Sequence, residues 1–139
     1  MELDAKNIVE AKNLVNEKEY SRAYELIKDV NIDLLSEESK AVYDSILPLT
    51  VKEFSKSKYN EGKTLFEQED YESALNALNE SIKLNDDESF TPEVMYYIAR
   101  IYEKQNDTKK AKEMYARIIN EYPNTHTAEQ AKYYSGLLN

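Results

Sequence analysis

The sequence predicts an all-α chain built from antiparallel helix pairs, and three observations carry that expectation. Apolar residues recur at helical spacing: Met95, Ile98, Ala99 and Tyr102 form one stripe, and Ala111, Tyr115, Ile118 and Ile119 form the next. Small residues recur at a fixed interval, since Ala11 precedes Ala23, Gly62 precedes Ala74 and Ala99 precedes Ala111, each by twelve positions. Two glycines and three prolines in 139 residues are too few for a turn-rich β chain, whereas abundant Lys, Glu, Ala and Leu favour helix.

The twelve-residue interval has a physical cause. Two antiparallel helices approach closely only where both carry small side chains at their crossing, and bulky residues one turn away fill the flanks. Those bulky residues are present: Ile27, Leu78 and Tyr115 follow the second small residue of each pair by four positions, and Leu14, Leu65 and Tyr102 follow the first by three.

In chain order, a helix over 3–17 places Leu3, Ile8, Ala11, Leu14 and Val15 on one side. A return helix over 21–30 turns Ala23, Leu26, Ile27 and Val30 inward and completes a first repeat at 3–31. Ser36, with Glu37 and Glu38 in the first turn, starts an extra helix over 36–47. Pro48 brings no N–H to a helix ladder, so a new helix is expected to start at Leu49 and run to Gln68. Asp70 caps the return helix 71–84, with Ala74, Leu75, Leu78 and Ile82 inward, and the second repeat spans 49–86. The third repeat spans 91–123; Asp107 or Thr108 caps its second helix and Pro123 ends it. An unpaired capping helix follows at 127–138, in which Ala131, Tyr134, Ser135 and Leu138 repeat Met95, Ile98, Ala99 and Tyr102 at a distance of 36 residues. The whole chain, 1–139, reads as a single domain.

The order Met95, Ile98, Ala99, Tyr102, Ala111, Tyr115, Pro123 resembles the tetratricopeptide repeat, with methionine where that family often carries tryptophan. Ala11, Ala23, Gly62 and Ala74 repeat the small-residue part of the signature. The resemblance implies a solenoid, a right-handed α-α superhelix of about eight helices, that acts as a protein-interaction module. The first small residue of each pair moves by 51 positions from Ala11 to Gly62, then by 37 to Ala99. The family repeat is about 34 residues long, so the first excess corresponds to the extra helix. The junction formed by Tyr122, Pro123, Asn124, Thr125, Ala128, Ala131 and Tyr133 is similar to that of bacterial envelope repeats, such as the Tol–Pal coordinator and the lipoprotein of β-barrel assembly. That likeness implies an extracytoplasmic domain of a membrane-anchored protein.

Composition narrows function further. A net charge of −9 argues against nucleic-acid and anionic-lipid binding. The absence of cysteine removes thiolate metal sites and cysteine nucleophiles. No apolar run approaches membrane-spanning length, and the opening MELDAKNIVE has no signal-peptide character, so a soluble chain is expected. No phosphate loop, GxSxG or HExxH occurs, and catalysis, cofactor and metal are not expected. His126, the single histidine, reads as a surface or capping residue. Asp86, Asp87 and Glu88 lack the alternation and central glycine of a calcium loop.

What remains is a surface. The first helix of each pair should line the concave face, presenting Ile8, Lys12 and Val15, then Lys56, Tyr59, Lys63 and Phe66, then Glu93, Tyr96, Arg100 and Glu103. Lys12, Lys63 and Arg100 occupy equivalent places, and with Tyr59, Phe66 and Tyr96 they are the candidate binding residues for a peptide carrying an acidic group. Some family members hold chaperone C-termini with a clamp of lysine and asparagine; Tyr59 and Lys63 stand at those positions here, which argues against that ligand. Two alternatives stay open. One is self-association through Tyr133, Tyr134, Leu137 and Leu138 at the open end. The other is a peptidoglycan or small-ligand binder using the tyrosine-lined groove.

Overall fold

The computed structural model describes residues 2–84 and 89–138, which form seven α-helices and no strand. The helices are α1 (Glu2–Asn16), α2 (Tyr20–Ile27), α3 (Glu37–Glu67), α4 (Tyr71–Leu84), α5 (Thr91–Lys104), α6 (Thr108–Glu121) and α7 (His126–Leu137), with a short 3₁₀ turn at Ile32–Leu34. The all-α expectation holds, and the helices pack as hairpins. Asp86, Asp87 and Glu88 lie outside the described residues.

The turns after α1, α3 and α5 close in the same way. Lys18, Glu69 and Asn106 take the left-handed conformation, with φ of 62°, 62° and 61°. The amides of Glu19, Asp70 and Asp107 then reach back five residues to the carbonyls of Leu14, Leu65 and Tyr102, at 2.8, 2.9 and 2.8 Å. Lys18, Glu69 and Asn106 donate across the tighter bond, to Val15, Phe66 and Glu103. This pair of bonds satisfies carbonyls that the helix end would leave orphaned. The next helix starts at once. Asp70 and Asp107 accept from the amides of Ser73 and Lys110 at 3.4 and 3.2 Å, whereas Glu19 makes no side-chain cap bond.

Helix α3 corrects the expected break at Pro48. It is one helix of 31 residues, with the proline inside it, and this is why seven helices stand where about eight were expected. Ser36 caps it, accepting from the amide of Ser39 at 3.1 Å. Proline removes one ladder bond, to the carbonyl of residue i−4. Here that residue is Asp44, which is exposed like Pro48 itself, so the released carbonyl meets water. On the opposite face Tyr43, Ile46, Thr50 and Phe54 continue the buried stripe straight past the proline, and the buried Thr50 hydroxyl donates to the Ile46 carbonyl at 2.6 Å. Continuous burial outweighs one solvated carbonyl.

The chain divides into two compact units, Met1–Ser57 and Lys58–Asn139, with the division inside α3. In the first, α1 packs on α2 around Ala11 and Ala23, both fully buried. Ile8, Leu14, Ile27, Tyr43 and Ile46 complete that core, and Tyr24 stacks on Phe54 with ring centroids 4.2 Å apart. Ile8, expected to face outward, is 1% exposed; its place in the apolar stripe with Ala11 and Val15 outweighs the face assignment. In the second unit α4 packs on α5, α5 on α6, and α7 on both α5 and α6. Gly62 of α3 meets Ala74 and Leu78 of α4, and Ala99 and Ala111 are fully buried in the next hairpin. Tyr115 is also fully buried, Tyr102 is half-buried, and Pro123 lies exposed two residues beyond α6. Among the described residues no helix is long and apolar enough to cross a membrane.

Candidate partner-binding cleft

In the second unit, α3, α5 and α7 line a cleft of about 270 Å³. Helix α3 gives Tyr59 and Lys63, α5 gives Glu93, Tyr96 and Tyr97, and the first turns of α7 give His126, Thr127 and Gln130. Tyr59 is 7% exposed, and its hydroxyl donates to Glu93 Oε2 at 2.8 Å. Burial first, and then that bond to a carboxylate, hold the Tyr59 phenol far above the ordinary tyrosine range. Tyr59 stacks on Phe90 at 5.8 Å and leans on Tyr97 at 6.1 Å; Tyr97 meets Tyr96 edge-on at 5.5 Å. These rings form a wall that is packed from behind, with two side-chain torsions each and little freedom left to lose on binding. Lys63 is exposed and has no ion-pair partner among the described residues. Glu93, by contrast, is already engaged by Tyr59.

The remaining candidates sit elsewhere. Phe66 is half-buried, with Tyr71 at 5.7 Å and Tyr97 at 5.4 Å, and supports the wall from inside. Arg100 is an internal cation: its Nη1 lies 3.3 Å from Glu103 Oε2 and its Cζ 4.2 Å over the Tyr134 ring. Glu103 also accepts a very short bond from the buried Tyr115 hydroxyl. Tyr96, 5.9 Å from Tyr134, has its phenol pushed up to about 12 by burial and by its bond to Tyr134. So Arg100 ties α7 to α5. Lys12 is exposed on α1, in the first unit. The structure thus gathers Tyr59, Lys63 and Tyr96 in one cleft and leaves Phe66, Arg100 and Lys12 out of its lining. It adds Tyr97, His126, Thr127 and Gln130, which the sequence reading missed. The available signal was the match of α7 to α5 at 36 residues, which makes α7 another first-of-pair helix whose opening turns share the face of α5. Among the described residues no three His, Asp or Glu side chains gather in a metal-holding group.

Hairpins that share one crossing chemistry and one turn define a helical-repeat protein. Comparison of sequences gives the repeat its name: residues 55–88 and 93–125 each match the tetratricopeptide repeat. The α1–α2 hairpin lies outside both matched stretches. No curated protein and no solved structure matches the chain. Tetratricopeptide repeats generally mediate protein–protein interaction and are typically non-catalytic.

Proposed function

We propose that this is a non-catalytic interaction module whose α3–α5–α7 cleft receives an extended, acidic segment of a protein partner. The observation that carries the reading is the pairing state of the lining: Lys63 is uncommitted, while the carboxylate of Glu93 is taken up by Tyr59. A peptide carboxylate at Lys63 gains a charge-assisted bond, and the tyrosine wall supplies contact area beside it. First helices of successive pairs lie about 10 Å apart and an extended chain rises about 3.3 Å per residue, so three helices are spanned by roughly six residues. Arg100 contributes by holding α7 in place rather than by contacting the partner.

The test is selection of heptapeptides from a random display library on the immobilised chain. Enriched sequences should be acidic, and Lys63→Glu should weaken the best of them by about tenfold or more, a loss of about 1.4 kcal/mol that shrinks at high salt. Tyr96→Ala should weaken them independently of salt. Enrichment of neutral or basic sequences, or indifference to Lys63→Glu, would remove this reading.

A second reading is self-association at the far end of α7. Tyr133 and Leu137 are 63% and 61% exposed there, while Tyr134 and Leu138 are drawn into the core. Sedimentation that changes with concentration, and ceases to do so in Leu137→Asp, would support it. The Tyr122–Pro123–Asn124–Thr125 junction supports placing the module in a bacterial cell envelope, on a membrane-anchored protein.

A further inference from the structure

Helix α5 has a second lined face. At about 100° per residue, Thr91 and Met95 point to the side opposite Glu93, Tyr96 and Tyr97. On that side, a cleft of about 340 Å³ lies between α4 and α6, with α5 as its floor. Ile82 of α4, Met95 of α5 and Tyr122 at the end of α6 supply apolar lining, and Met95 is 1% exposed. The rim is charged. Lys83 is exposed with no ion-pair partner among the described residues. Arg117 stands across from it, its Nε 3.0 Å from Glu121 Oε2, and among the described residues Glu121 is the lining's one carboxylate. The described lining therefore carries two cations against one paired acid, in a chain whose net charge is −9.

We infer that this α4–α5–α6 cleft is a second docking site, distinct from the α3–α5–α7 cleft, for a protein segment that presents a large apolar side chain flanked by carboxylates. Charge complementarity selects the occupant. A wholly apolar segment would leave Lys83 unanswered, and a basic one would be repelled by both rim cations. The apolar side chain fills the space over Met95, between helices that both pack on α5, and its neighbouring acids reach Lys83 and Arg117. Both sites draw on α5, so occupancy of either depends on the same helix being held by Arg100, Glu103 and Tyr134.

The test is a methyl-NMR titration of the full chain with three capped tripeptides, acetyl-Asp-Phe-Asp-amide, acetyl-Asn-Phe-Asn-amide and acetyl-Asp-Ala-Asp-amide, and with phenylacetate. The Ile82 and Met95 methyls should shift with Asp-Phe-Asp, and loss of either the acids or the ring should weaken binding by about tenfold. Phenylacetate should bind more weakly than Asp-Phe-Asp, since it offers one carboxylate and no flanking residue. Lys83→Glu, a substitution at an exposed position, should bring Asp-Phe-Asp down to the level of Asn-Phe-Asn while leaving helicity unchanged. The proposal is overturned if neither methyl responds, if the shifts centre on the Thr127 methyl of the α3–α5–α7 cleft, if Asn-Phe-Asn binds as well as Asp-Phe-Asp, or if phenylacetate matches the peptide. Lys63→Glu leaves this titration untouched, so failure here and failure of the α3–α5–α7 cleft are read separately.

Discussion

Gly62 and Gly136 have opposite surroundings, and that contrast makes the argument at the residue scale. A Cβ built on Gly62 would stand 2.5 Å from Leu78 Cγ, 2.6 Å from its Cδ2 and 3.3 Å from the Ala74 carbonyl oxygen. Leu78 is fully buried, so its side chain has nowhere to retreat. Gly62→Leu should cost about 2–4 kcal/mol, measured by urea unfolding. Gly62→Ala should cost less, because it brings only the Cβ into the crossing, and about 1 kcal/mol of regained helix propensity offsets part of the clash. At Gly136 the same Cβ meets nothing within 4 Å, so Gly136→Ala should be neutral or stabilise by up to about 1 kcal/mol. Equal effects at the two glycines would mean that the α3–α4 crossing is not the tight point described. The small residues were legible from sequence because their spacing recurs three times. His126 was not, because a single histidine has no spacing partner and only the cleft geometry gives it neighbours.

Among the elements, α3 and α2 differ in how well local sequence reports the outcome. Proline in a helix interior is a strong local signal, and read locally it ends a helix. The stripe Tyr43, Ile46, Thr50, Phe54 keeps one register across Pro48, and that longer-range pattern decides the matter. Pro48→Ala restores an N–H facing the Asp44 carbonyl, and should raise stability by about 1 kcal/mol or more with unchanged or greater helicity by circular dichroism. A loss of stability would show that proline's restriction of the unfolded chain outweighs the missing bond. Helix α2 illustrates the converse. Asp70 was legible as a cap and Asp107 as one of two candidates with Thr108, and both aspartates do cap. Glu19 holds the equivalent position without a side-chain bond, since its longer side chain does not close the same short ring. Glu19→Asp should therefore gain about 0.5–1 kcal/mol, and Glu19→Ala should change little. The left-handed turn residues could not be read, because Lys18 and Glu69 are not residues that favour positive φ and tertiary closure imposes it on them.

For the molecule as a whole, eleven of the twelve tyrosines are buried or half-buried, and only Tyr133 is exposed. The rings are packed inward while their hydroxyls find carboxylates or one another: Tyr59 donates to Glu93, Tyr115 to Glu103, and Tyr96 bonds with Tyr134. Burial and these bonds raise the phenols of Tyr59 and Tyr115 well beyond the ordinary range and that of Tyr96 to about 12, and burial also raises Tyr43. A tyrosine is neutral when protonated, so a raised value means the folded chain keeps a proton that the unfolded chain, with values near 10, has already lost. The stabilisation is complete below about pH 10 and drains away as pH rises from there toward 12 and beyond. Absorbance at alkaline pH should then keep rising beyond the ordinary tyrosine range, as Tyr59 and Tyr115 ionise only when the chain unfolds. The urea midpoint should fall steadily between about pH 10 and pH 12. Tyr115→Phe, which keeps the ring and removes the ionising group, should flatten part of that fall, at some cost at neutral pH because Glu103 loses a donor. If the midpoint stays level across the window and Tyr59 and Tyr115 ionise while the chain is still folded, the hydroxyls are not held as described.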